Sequence, residues 1–308
     1  MGSNPGKLPY ANRTGRLPLL CLGLGTLFLI AFLAALAVGP SSVSLKDIYA
    51  FAAGKLTAAS TAATSLWKIR LPRVLLAAMV GATLSLGGMV FQALLRNPLA
   101  EPYILGISGG SAVGAIIGIL LGFAFFPGIT LFSFLGSILT LVAVLLLAGG
   151  RSTSRKDSLL LGGVMMNAFC GALIMFLISI SQASKVQQII YWLMGDLSMT
   201  DSSQLPLLLL CLPAFAVILV LGRPLNIILA GQEAAIAMGV NVRRYSTLLL
   251  VTTSFMVSVV VCQSGLVGFV GLLIPHLFRL LFGADHRLLG PSCILGGASY
   301  LLLWRTRR

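Results

Sequence analysis

The chain has 308 residues, 58% of them hydrophobic and 9% charged, with a mean hydropathy of +1.02. Soluble domains carry about 25% charged residues, so composition excludes that class and points to an all-α polytopic membrane protein; the ten-residue alternation of a membrane β-barrel is absent. The net charge of +14 comes from Lys and Arg lying between apolar runs rather than on one basic face, which argues against nucleic-acid binding.

A span needs about 20 mostly apolar residues. Lys7, Arg13 and Arg16 precede a charge-free run from Leu17 to Leu45. That run exceeds the ~7–15 residues of a signal-peptide core, so residues 1–16 are expected as a cytoplasmic tail and 17–39 as a retained first span. Segment 40–69 reads as an outside loop with a short amphipathic helix at 45–55. The second span is 72–95, with Pro72 in its first turn, where no backbone donor is needed. No charge occurs from Pro102 to Gly150. Pro127-Gly128 divides that stretch into spans 103–124 and 129–148.

The loop 151–156 follows, then a fifth span at 159–181. Residues 182–204 read as a polar loop, with Tyr191 and Trp192 in the interfacial belt. The sixth span is 205–222. Residues 223–245 are charged at both ends, carry Gln232-Glu233 at the centre, and read as two short surface helices separated at Gly231 or Gly239. Spans 246–262, 266–282 and 288–304 make nine. With the N-terminus inside, the inner loops collect about twice as many Lys and Arg as the outer ones.

Cys21, Cys170, Cys211, Cys262 and Cys293 lie in or beside apolar runs and form no CxxC pair, so they read as small buried hydrophobes. The two histidines, His276 and His286, are badly spaced for zinc. No metal site and no cofactor is expected. His276 follows Pro275 and reads as a structural hydrogen-bonder beside a kink. No Asp or Glu lies inside any span, which disfavours a proton relay.

Five blocks in order carry a resemblance: Arg70-Leu-Pro-Arg73; Gln92 through Gly110, with Arg96-Asn-Pro-Leu-Ala100; Leu161-Gly-Gly-Val164 with Asn167; Trp192-Leu-Met-Gly-Asp196; and Gly265 through His276, with Arg279. The chain resembles the permeases of FecCD-type ABC importers, which take up iron-siderophores, haem and vitamin B12, over about residues 45–303. The resemblance implies a type II importer bundle of ten spans, residues 1–304 forming a single permease domain in the bacterial inner membrane. It implies a second copy of the chain, a cytoplasmic ATPase dimer and an extracytoplasmic substrate-binding protein as partners. The chain itself is then not an enzyme.

Arg70 and Arg73 lie three apart on one turn, so they can share a face, from which guanidinium forks are offered to carboxylates. The resemblance makes them docking residues for the binding protein; the plain alternative is a pair of interfacial anchors. It makes 224–244 paired coupling helices for the ATPase, through Gly231, Glu233, Ala234, Ala235 and Gly239; the alternative is an interfacial linker helix. Asn97, Pro98, Gly106 and Gly109, with the polar groups Gln92 and Asn167, either line a path or pack helices together. The Gly-rich run lacks Gly-Lys-Ser/Thr, so it is not a phosphate loop.

The resembling family continues into a tenth span with a further docking arginine. This sequence instead ends in Trp304-Arg-Thr-Arg-Arg308, and residues 305–308 read as a truncated or frameshifted end, with lower stability or activity expected. Two other readings stand beside the permease: an ion-gradient-driven secondary transporter of another fold, and a non-functional truncated permease.

Overall fold

Long runs of Leu, Ile, Val, Ala and Gly leave a backbone in lipid no partner but itself, and they fold here as helices. The computed structural model describes residues 17–38, 64–148, 155–198 and 202–306. The expected tail 1–16, the helix at 45–55, most of the loop 151–156 and the last two residues lie outside the described part.

In chain order the helices are α1 (Leu17–Ala37), α2 (Leu71–Leu95, entered through a π turn at Ser65–Arg70), α3 (Ile107–Leu120, after a 3-10 turn at Pro102–Leu105) and α4 (Thr130–Ala148). Then come α5 (Arg155–Ser179), α6 (Ala183–Met194), α7 (Leu205–Leu208) and α8 (Cys211–Val220). The last five are α9 (Gly222–Ala230), α10 (Gln232–Ala237), α11 (Val242–Ser264), α12 (Val270–Phe282) and α13 (His286–Thr306). No strand occurs among the described residues. Six of the described helical stretches are long and apolar enough to cross a membrane; α3 and α12 are shorter apolar helices.

Helix α2 is the centre. It is buried over 89% of its most apolar stretch, against 17% for α1 and for α5. Bare backbone lets its neighbours approach. A Cβ on Gly81 would strike the carbonyl of Gly297 in α13, and one on Gly88 would strike Gly271 in α12. Such small-residue contacts replace the hydrophobic drive that helices lack in lipid. Gly110 of α3 and Gly136 of α4 meet in the same way. Cys170, Cys211, Cys262 and Cys293 are buried as free thiols, matching the reading from sequence.

Three expectations change. Residues 182–204 are not simply a loop: α6 occupies Ala183–Met194. Its apolar residues Val186, Ile189, Ile190 and Leu193 follow helical spacing, and Ile189 and Trp192 are buried, so Trp192 is a packing residue and not part of an interfacial belt. The span expected at 266–282 is shorter, because Gly265–Phe269 is not helical and α12 begins only at Val270. His276 is exposed on α12 and makes no hydrogen bond among the described residues.

Helix α12 also begins inside the bundle, since Gly271 packs on Gly88, about two turns before α2 ends. The loop before it is held by Tyr103, whose hydroxyl donates to the Val267 carbonyl at 2.9 Å and accepts from the Val267 N–H at 3.3 Å. Non-helical backbone at such depth survives only where protein partners take its polar groups.

Candidate functional site

At one end of the bundle, the two arginines part company. Arg70 is only 3% exposed and turns back onto α1, where its Nη1 donates to the carbonyls of Leu36 at 2.6 Å and Ala37 at 2.8 Å. A helix leaves its last carbonyls without intrahelical donors, and Arg70 takes two of them. Thus Arg70 does not share an outward face with Arg73 as expected from their spacing. Arg73, one turn on, is half-buried, and its Nε has no hydrogen-bond partner among the described residues.

The opposite end carries the short helices α9 and α10. Gly231, at φ 149°, separates them. Gly239, at φ 76°, ends α10 in a Schellman turn: its N–H reaches the Ile236 carbonyl, and the Val240 N–H reaches that of Ala235, each at 2.9 Å. Asn241 then opens α11 by accepting the Arg244 N–H at 3.0 Å. Both glycines at the expected boundaries therefore break the chain. Ala235 is buried, anchoring the turn, while Ala234 and Glu233 are exposed. Glu233 has no ion pair among the described residues. Beside this turn an apolar cleft of about 640 Å³ opens between Phe91 and Leu94 of α2, Leu159 of α5 and Val240–Arg243.

The expected path or packing residues run from the α9 end of α2 into the bundle. Arg96 stops α2 at φ 51°, and the N–H groups of Arg96 and Asn97 close a second Schellman turn on Ala93 and Gln92. The Asn97 side chain accepts the Leu99 N–H at 2.9 Å, a local turn bond, and Pro98 and Leu99 are exposed. Gly106 sits against both α4 and α5, where a Cβ would press on Thr140 and then Met166, and a Cβ on Gly109 would press on Cys170 of α5. Asn167 donates to the Tyr103 carbonyl at 3.2 Å, pinning α5 to the turn before α3. Gln92 is buried and reaches the carbonyls of Gly271 and Leu272 at 3.4 Å each, and its Oε1 has no partner among the described residues.

One cluster went unread in the sequence. Asn226 of α9 donates through Nδ2 to Asp285 Oδ1 at 2.7 Å, and its Oδ1 accepts the His286 N–H at 3.0 Å and contacts His286 Nδ1 at 2.7 Å. Arg287 closes on the same carboxylate, with Nη2 2.9 Å from Oδ2. Burial opposes ionisation of Asp285, but the hydrogen bonds from Arg287 and Asn226 and the Arg287 charge outweigh it and hold the carboxyl below its usual range. The chain has seven acidic residues, so an Asp-His-Arg triplet between two apolar runs was the available signal. Arg96 completes the picture from the other side, its Nη2 donating to the Ile228 carbonyl of α9 at 3.0 Å.

The model of the FecCD transport family matches residues 27–306. A vitamin B12 import system permease, BtuC, from Klebsiella pneumoniae is 40% identical over 77% of this chain and 72% of its own length. The Shigella boydii BtuC is 39% identical over 92% of this chain and 84% of its own. Among solved structures, a metal-chelate type ABC transporter in an inward-facing conformation superposes with a TM-score of 0.83 at 32% identity, covering 94% of this chain and 90% of that one.

Proposed function

This chain belongs to the FecCD transport family, and on that footing we propose that it is the membrane subunit of an ATP-driven importer that carries a metal chelate inward. It is a multi-pass membrane permease of the ABC-importer type. The cargo class we favour is cobalamin, an iron-siderophore or haem; the similarity to vitamin B12 permeases supports cobalamin first. In this reading a homodimer forms the path. A separate cytoplasmic ATPase dimer hydrolyses ATP, and an external binding protein delivers the chelate.

The observation that carries the reading is the exposed turn at Gly231–Gly239. It places a lone acid, Glu233, on the short helix α10, which follows directly on α9, itself braced by Arg96 from the end of α2 and by Asp285 at the start of α13. That is a surface suited to a partner's basic or backbone-donor groove. The N-terminus and this turn then face the cytoplasm, and Arg73 faces outward beside the binding protein. Arg73 is the docking residue we retain of the expected pair; Arg70 supports it by fixing α1.

The test is reconstitution. The chain is co-expressed with a candidate partner ATPase and binding protein in cells lacking their own uptake systems. Uptake of radiolabelled cyanocobalamin, a ferric siderophore and haem is then measured with and without an ATPase-inactivating substitution. Uptake that persists without the ATPase would refute the reading and favour a gradient-driven carrier.

A further inference from the structure

The buried contacts around α9 exceed what that helix needs for itself. Asp285 already serves α13 as an N-cap: its Oδ1 accepts the Arg287 N–H at 3.0 Å, and its carbonyl accepts the Leu288 and Leu289 N–H groups. A cap requires no partner from α9. Yet Asn226 is inserted between Asp285 and His286, residues only 3% and 2% exposed. A buried, charge-assisted contact of this kind holds its geometry where a surface pair would slip.

Arg96 adds a second point of attachment. It leaves the end of α2 and holds the last turn of α9 through Ile228. The two attached helices are themselves in backbone contact at Gly81 and Gly297. A displacement of α9 therefore reaches α2 through Arg96 and α13 through Asp285, and those helices are packed to respond together.

We propose that Arg96, Asn226 and Asp285 are positioning residues that carry movement of the ATPase-facing segment Gly222–Ala237 into the α2–α13 pair. The proposal rests on the permease reading above. It assigns the Asp-His-Arg triplet a role in coupling as well as in capping.

The experiment uses the full complex in lipid nanodiscs, with a nitroxide label on Leu303 of α13 in each copy; Leu303 is 42% exposed and far along the helix from Asp285. The label-to-label distance is measured without nucleotide and with ATP under vanadate. Asp285→Ser keeps a capping oxygen but is too short to reach Asn226, while Asp285→Asn keeps both. The proposal expects wild type and Asp285→Asn to show the nucleotide-dependent shift, and Asp285→Ser to lose at least half of it with the ATPase still bound. Arg96→Met, on an exposed side chain that leaves the core intact, is expected to reduce the shift as well. A wild-type shift in both Asp285→Ser and Arg96→Met overturns the proposal. So does equal loss in Asp285→Ser and Asp285→Asn, which would make the carboxylate charge the operative feature. A wild-type chain that binds no ATPase overturns the permease reading itself, and this inference with it.

Discussion

Arg70 Nη1 lies 2.6 Å from the carbonyl oxygen of Leu36, so a side chain at the entrance to α2 closes the end of α1. Two arginines with the same spacing-based reading thus have different surroundings. Hydrogen bonds involving a charged group contribute about 1.5–3 kcal/mol. Arg70→Met is expected to lower stability by about that amount in detergent melts. Arg73→Met should leave the melt nearly unchanged and weaken binding-protein association at least tenfold. Equal melting losses in both variants would contradict this division.

The crossing of α2 and α13 is set by absent side chains. Gly81→Leu would push a side chain into the Gly297 backbone. Overpacking typically costs about 1–3 kcal/mol, and here the obstacle is main chain that cannot rotate away. We expect loss of monodisperse protein in size-exclusion chromatography, with Gly23→Leu, in open space, as the tolerated control.

Glu233 stands exposed on α10. Glu233→Arg reverses the charge at the surface proposed to meet the ATPase, and co-purification of that partner should fall at least tenfold. The permease itself should remain folded, because no described contact of Glu233 holds the bundle.

Gly239 adopts a left-handed conformation, φ 76°, to end α10. A β-branched residue pays about 1–2 kcal/mol there. Gly239→Val should therefore reduce ATP-driven uptake more than it reduces the melting temperature, since the strain falls on the turn and not on the core. Equal losses would place the turn's importance in folding alone.

Acidification tests the Asp285 cluster. Burial disfavours its charge, but Arg287 and Asn226 prevail and the folded carboxyl ionises more readily than the unfolded one. Its contribution is then present above the usual carboxylate range and is lost as pH falls through and below that range. Melting curves taken from neutral pH down through that range should show a smaller decline in Asp285→Asn than in wild type.

The hydrophobic runs made most spans legible, because lipid leaves an apolar chain few options. Gly231 and Gly239 were legible for the same local reason: a backbone break needs a residue without a Cβ. What sequence could not supply was direction. The spacing of Arg70 and Arg73 said that they share a turn, but the π turn and the nearness of α1 decide where each points. Helix α6 was hidden by its polar flanks, although its apolar stripe was present. Asn226 and Asp285 are 59 residues apart, and only the tertiary fold joins them.

The shortness of α12 has a consequence for leakage. Thirteen residues of helix cover about 20 Å, against roughly 30 Å of hydrocarbon. The remainder falls to Gly265–Phe269, where Phe269 holds φ 68° and stands 75% exposed in the single chain. Over that depth the apolar cover comes from side chains on a non-helical main chain, Phe269 foremost, and in the proposed homodimer a second copy would close against that ring. Truncating that ring should raise passive ion permeability of the assembled complex before it alters anything about the fold.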